Sequence, residues 1–279
     1  SFQVGTFNNE SAVVKEAFGV KNLKPELSSH LSLGFSGKLG EDLTFSADYY
    51  RINIEDRIVL SGRFSEGYES VLDPFGVGAA QFFTNAIDSR TSGVDISLEY
   101  RTDIAQGILT TTLAGNFNST KVVGDIKVPE ILQGQEDVLF NREEIGRVED
   151  AQPSYKVISQ LAYEFGKYKI QLNNTMFGEV KYFHPNDDNP NNWVLNNFTG
   201  ITETRDQTFK SKIVTDLILS YQFNNYIRFS LGGNNILNVF PDQHQHSANT
   251  ENGNFMYSRR VQQFGLKGAN YFARLLLKL

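Results

Sequence analysis

In Phe45-Ser46-Ala47-Asp48-Tyr49, and again in Val94-Asp95-Ile96-Ser97-Leu98-Glu99-Tyr100, every second residue is apolar and those between are polar or small. Successive side chains of a β-strand point to opposite faces, so a period of two writes one apolar face and one polar face. Nine segments carry the pattern: 29–39, 43–54, 92–102, 108–120, 156–165, 168–178, 211–223, 226–235 and 270–279. A competing helical pattern, apolar at i, i+3, i+4 and i+7, is almost absent. One short helical turn is expected in a loop around Val138 to Arg147. The fold class is all-β.

The connections sort by length. Gly40-Glu41-Asp42, Asp103-Ile104-Ala105-Gln106-Gly107, Gly166-Lys167 and Asn224-Asn225 are tight turns with fitting residues. The others, about 61–91, 121–155, 179–210 and 236–269, are long. Short and long alternate throughout. A soluble sandwich gives no reason for such sorting, whereas an up-and-down antiparallel sheet crossing a bilayer has tight turns on one side and long loops on the other.

Three further features favour lipid over a protein core against the apolar face. The strands run about ten residues or more, which at ~3.3 Å per residue and ~40° tilt rise about 25 Å, the height of a transmembrane barrel's apolar band. Aromatics gather at the tight-turn ends, as Tyr100, Tyr163, Phe165, Tyr168, Tyr221 and Phe223, where a membrane-interface girdle would lie. A soluble sheet this size needs a second layer, and the long loops read as too polar to supply one. No run approaches the ~18 apolar residues of a transmembrane helix, and the negative mean hydropathy suits a barrel in which only alternate residues meet lipid.

Composition narrows the function. The 279 residues contain 22 Phe and 12 Tyr but no cysteine, so disulfides and cysteine ligands or nucleophiles are excluded. A formal net charge of −6 offers no support for a nucleic-acid partner. The chain starts at Ser1 without a methionine or signal peptide, and is expected to be a mature form or a fragment.

Asn22-Leu23-Lys24-Pro25-Glu26 before a strand resembles the "N-L-K-P-E" element of TonB-dependent receptors, the 22-stranded outer-membrane importers. Thr91-Ser92-Gly93-Val94-Asp95 resembles their "T-x-G-V-E" strand start. Gly233-Asn234-Asn235-Ile236-Leu237-Asn238-Val239-Phe240-Pro241-Asp242 resembles their "N-L-F-D/N-x-x-P-D" segment, and Gln263-Phe264-Gly265-Leu266-Lys267-Gly268 the approach to the closing strand of versions common in Bacteroidetes. The elements fall in the family's order over nearly the whole chain. One departure is Leu279, where family members end in Phe.

The resemblance implies a partial transmembrane barrel, the C-terminal nine or ten strands, with the tenth drawn from residues 1–20. It implies that residues 1–279 are the C-terminal portion of the barrel, and that plug, TonB box and early strands precede Ser1. Tight turns would lie in the periplasm and long loops outside the cell. The partners implied are outer-membrane lipid, TonB through the N-terminal region, and a scarce small molecule, a ferric siderophore by family frequency. The location implied is the outer membrane of a Gram-negative bacterium.

Candidate contacts for that ligand lie in the long loops. Tyr257-Ser258-Arg259-Arg260 holds the only adjacent arginines, next to Phe255, and guanidinium groups suit the anionic oxygens of a chelate. They serve equally well as struts paired with loop acids. Trp193 offers a stacking ring, or packs in its own loop. His184, and the pair His244 and His246, are more simply solvated loop histidines than metal ligands, and Asp187-Asp188-Asn189 lacks a full calcium spacing. Charges on the polar face, Asp48, Glu99, Arg101, Asp216 and Arg228, suit a channel lining. No phosphate-cradling glycine loop, nucleophile elbow or paired carboxylate motif is present, so neither enzyme nor cofactor is expected. The competing expectations are a self-contained ten-stranded barrel enzyme, such as an omptin-like surface protease using His184, His244 and Asp206, and a passive porin or adhesin.

Overall fold

The computed structural model describes residues 3–261 and 263–278. Nine long strands form where the alternation predicts them: β1 (Leu27–Leu39), β2 (Leu43–Leu60), β3 (Phe83–Ile104), β4 (Gly107–Val123), β5 (Tyr155–Phe165), β6 (Tyr168–Phe177), β7 (Lys212–Gln222), β8 (Ile227–Asn234) and β9 (Asn270–Leu277). They make one sheet in sequential order, each antiparallel to the next.

Register places the apolar residues in continuous rows. Leu39, Leu43, Tyr100, Thr111, Leu161, Leu172 and Leu217 are successive partners across β1 to β7. Residues of this face stand open on the isolated chain, Leu33 at 76% and Phe35 at 66% exposure. No described residue covers them, which is the behaviour of a face made for hydrocarbon. At the tight-turn end Tyr163, Phe165, Tyr168, Tyr221 and Phe223 form a chain of ring contacts with centroids 5.1, 5.3, 4.9 and 4.8 Å apart, the aromatic girdle.

The motifs have local causes. At Gly93 a Cβ would lie 2.5 Å from the Tyr50 hydroxyl, because the Tyr50 ring crosses its β3 partner and its hydroxyl accepts from Asn116 at 3.0 Å. Asn235, at φ 50°, ends β8 with both amide atoms bonded to the Val239 backbone, at 2.7 and 2.8 Å. Lys24 is docked before β1 through its backbone N–H and C=O to the Asn85 amide.

Two strands outrun expectation. β2 has 18 residues and β3 has 22; 22 residues rise ~55 Å at ~40° tilt, about twice the apolar band. A bulge at Asp56, φ 53°, marks the change. Beyond it the two strands enter a lobe of loops, and the buried core of the molecule is there. Phe18, Phe64, Phe82, Leu72, Ile87, Leu132, Leu139 and Phe140 pack together with almost no exposure. The expectation of merely polar loops is corrected: their apolar residues follow no period and show themselves only once the loops meet. The expected helical turn splits in two, Glu136–Leu139 and a longer helix α1 (Arg142–Glu149).

No tenth strand joins the sheet from the described residues 3–20. Among the described residues there, Val4–Thr6 pairs in parallel with Ala79–Gln81 inside the lobe, and 13–17 form a single π-helical turn. This parallel ladder lies outside the nine-stranded sheet, whose meander order it leaves intact. β1 and β9 are the two edges of the sheet, so it does not close on itself among the described residues. Leu279 lies outside the described residues.

Two outcomes follow. Leu113→Arg, on the lipid face of β4, should destabilise the barrel by about 2–4 kcal/mol, while Thr112→Arg on the opposite face should cost little; denaturant unfolding in lipid vesicles checks both. Phe82→Ala, whose ring lies 5.0 Å from Phe18 and 5.5 Å from Phe64, should cost the lobe about 3–5 kcal/mol. Limited proteolysis should then cut 61–82 and 124–150 with the barrel intact.

Candidate functional site

A second, smaller lobe forms around Ala151, Val180, Tyr182, Phe209 and Val261. Gln207 pins the last long loop to it, donating to Gln243 O at 2.8 Å and accepting from Gln245 N at 3.0 Å. Where the two lobes meet lies a cavity of about 700 Å³. Arg63, Glu144 and Arg147 line its side on the first lobe, and Tyr182, His184, Arg259 and Arg260 its side on the second. A pocket of about 160 Å³ adjoins it and shares the last four residues, adding Arg205 and His244.

Helix α1 is the strut between the lobes. Its N-cap Asn141 accepts from the backbone N–H of Glu143 and Glu144, at 3.0 and 3.1 Å, which fixes the first turn. That turn aims Arg142 at the second lobe, where it grips the Asp206 carboxylate with two bonds, 2.9 and 2.8 Å, and also donates to His184 O. The next residue, Glu143, pairs with Arg260. Burial pushes the Glu144 carboxyl up, against the pull of Arg147.

The sequence-predicted residues divide into two groups. Arg259, Arg260, Tyr257 and Phe255 lie together. Arg259 sits 3.9 Å over the Phe255 ring and pairs with Glu251. Arg260 lies 5.7 Å from the Tyr182 ring centre. Burial, and then the charge of nearby Arg63, oppose the Arg260 cation. Tyr257 borders a separate small cleft beside Pro241 and Val261. So both arginines have internal partners and both also face the cavity.

His184 and Trp193 meet at Asp187 instead. The Asp187 side chain is fully buried and is held by the Arg205 side chain and by Arg205 N at 2.5 Å. The Trp193 indole donates to Asp187 O at 3.3 Å, and Trp193 is not among the cavity-lining residues. His184 Nδ1 accepts from Asn186 N at 3.3 Å, a contact that needs an unprotonated Nδ1. Burial pulls the His184 pKa down to about 4, outweighing Asp187 at 3.3 Å. The Asp187-Asp188-Asn189 run is therefore an arginine socket rather than an open cation site. His246 caps the 247–250 turn through Ala248 N, whereas His244 packs beside Phe209, and the two rings serve separate ends of their loop. Asp206, raw material for a protease pair, is occupied by Arg142 and by His184 N.

Sequence reasoning missed Arg63 and Tyr182. Arg63 has no neighbouring motif and stands alone in Ser61-Gly62-Arg63-Phe64; only the packing of two loops more than 100 positions apart sets it across from Arg260. Unlike Arg260, Arg63 forms no ion pair among the described residues. Tyr182 is buried enough for its phenol to be pushed up to about 12.

The family described as TonB dependent receptor-like, beta-barrel matches residues 1–236. No curated protein matches the sequence. Solved structures share the architecture at low identity. The chain aligns with the copper transporter OprC at 15% identity and TM-score 0.57, covering 92% of this chain and 31% of that one. The FrpB iron transporter of Neisseria meningitidis gives 16%, TM-score 0.55, 92% and 32%. The outer membrane transporter YddB of Escherichia coli gives 11%, TM-score 0.57, 92% and 33%. The chain thus spans about a third of these proteins. With a lipid-facing nine-stranded meander, an aromatic girdle and this family match, the chain belongs to the TonB-dependent receptors, in their β-barrel, and resides in the outer membrane of a Gram-negative bacterium.

Proposed function

We propose that the chain is the C-terminal part of an active importer, with its long loops outside the cell, and that the inter-lobe cavity captures an anionic metal chelate of the ferric siderophore class. TonB would act through the N-terminal region that the family carries. The observation that carries the ligand class is the convergence of Arg63, Arg259 and Arg260 on one cavity with Tyr182 and His184. Guanidinium forks match the carboxylate, catecholate or hydroxamate oxygens of such chelates, and a cavity of about 700 Å³ is of ligand size. Structural relatives named as iron and copper transporters support metal cargo. Glu143 and Glu251 neutralise two of the arginines at rest, so a ligand anion competes with them, whereas Arg63 forms no ion pair among the described residues; the carboxylates Glu66 and Asp137 line the same cavity.

Arg63→Ala is the informative change, because it leaves no buried acid unpaired. A charge-assisted contact contributes roughly 1.5–3 kcal/mol, so affinity should fall about tenfold or more. The check is titration of the full-length receptor with ferric catecholate and hydroxamate chelates; unchanged affinity in a folded protein defeats the arginine reading.

The lowered His184 pKa also sets a pH window. The ordinary value is 6.5 and the folded value about 4, so the unfolded loop takes up a proton first. The stability that neutral His184 supplies is complete above pH 6.5 and drains away as pH falls toward 4. Amide exchange in 183–206 should accelerate over that range, and His184→Gln should flatten the response. Equal acceleration in the variant would place the titration elsewhere.

A further inference from the structure

The first turn of α1 carries two carboxylates in succession, and both are nearly buried. Glu143 is 7% exposed and the Glu144 side chain 12%. Each is held by an arginine that lines the inter-lobe cavity. Glu143 pairs with Arg260 of the last long loop, and Glu144 accepts from Arg147 at 3.1 and 3.0 Å. Arg63 of the first lobe bears on both pairs. Burial, then the charge of Arg63, opposes the Arg260 cation. Burial pushes the Glu144 carboxyl up, against the pull of Arg147 and Arg63. Arg63, Arg147 and Arg260 thus share one partly buried place with Glu143 and Glu144.

The other charged and titratable groups facing this place are settled. Burial holds His184 down at about 4 and pushes the Tyr182 phenol up to about 12, so neither carries charge near neutral pH. Arg142 is turned to Asp206, and Arg259 to Glu251. Glu66 and Asp137 line the cavity but stand exposed, where water stabilises a carboxylate. On its other side Glu144 borders a further cavity of about 540 Å³ with Arg57 and Glu149. There Arg57 donates to Ser89, and Glu149 pairs with Lys121.

An anion entering the inter-lobe cavity meets arginines already in use. It takes or shares the guanidinium groups that hold Glu143 and Glu144, and it adds negative charge beside both acids. A carboxylate that loses its cation at this depth has little water to turn to. Such a group becomes neutral by binding a proton rather than staying charged and unpaired.

We infer that capture of an anion in this cavity is coupled to uptake of a proton from solvent by the Glu143 and Glu144 pair, so that the site binds more tightly as the medium turns acidic. This coupling rests on the anionic-chelate reading of the cavity and adds a regulation to it. The proton belongs to the two adjacent acids together rather than to one of them. The pair holds a proton more firmly in the loaded site than in the empty one. Affinity therefore rises as pH falls through the loaded site's range, and levels off once the empty site is itself protonated.

The test is calorimetric titration of the full-length receptor in detergent, over about pH 6 to 8, in two buffers of different ionisation enthalpy. The probes are a multiply charged ferric tricatecholate and an uncharged ferric trihydroxamate. The difference between buffers counts the protons taken up. Tricatecholate binding should bring up to about one proton, with affinity rising by as much as about tenfold per pH unit of acidification; the trihydroxamate should bring none. Glu143→Gln with Glu144→Gln should abolish the uptake and flatten the pH dependence while the receptor still binds. Glu144→Gln alone keeps the Arg260 pair and should lower the proton count. His184→Gln should leave the count unchanged. Tricatecholate binding without proton uptake overturns the coupling and leaves the chelate reading standing. Uptake that persists in the glutamine double variant, or disappears in His184→Gln, also overturns it. Binding of neither chelate overturns both.

Discussion

In hydrocarbon there is no water to bond a stray backbone N–H or C=O, and each one left unpaired costs several kcal/mol. A chain that crosses a bilayer with strands must therefore pair every strand with a neighbour. Here the pairing is the simplest available, each strand against the next in sequence. Everything else hangs on that sheet: rows of leucine and aromatic side chains facing outward, polar side chains facing the channel, and two ends of opposite character. The two sheet edges among the described residues, β1 and β9, carry the same demand.

The division of labour between the two ends follows from solvent. Between the girdle and the rim, apolar residues need only be apolar, because lipid is an undiscriminating partner. Above the rim, water returns and the chain must bury its own apolar surface. It does so with Phe18, Phe64, Phe82 and their neighbours, drawn from three separated stretches. The result is a rigid wall on which Arg63 is held. A second lobe, braced through α1 by Arg142 and Asp206, holds Tyr182, His184 and Arg260 opposite. The cavity is thus built from loops, but from loops that have cores.

Three arginines of the cavity and its adjoining pocket are paired with acids. Arg260 answers Glu143, Arg259 answers Glu251, and Arg205 answers Asp187. Pairs of this kind keep cations ready in a partly buried site, where an isolated charge would be penalised. Arg63, which lines the same cavity, is outside these pairs.

The alternation of Phe45 to Tyr49 or Val94 to Tyr100 was enough to place all nine strands, because side-chain parity on a strand is a local property. Turn lengths gave the two ends, and Tyr163 to Phe223 gave the girdle. The limits of β2 and β3 were not readable, since beyond Asp56 the strands leave lipid and the alternation there, as in Ile87 and Ala86, is set by packing on both faces. Arg259 and Arg260 stood out as adjacent cations, and they do border the cavity. His184 borders it too, while Trp193 stood out equally yet turns to Asp187, an acid whose arginine partner lies 18 positions further on. Arg63 and Tyr182 gave no signal. Sequence settles what repeats along the chain, faces and crossings above all. Only the tertiary structure decides which loop residues meet, because their contacts join positions that share neither period nor proximity and are fixed by the packing of the lobes.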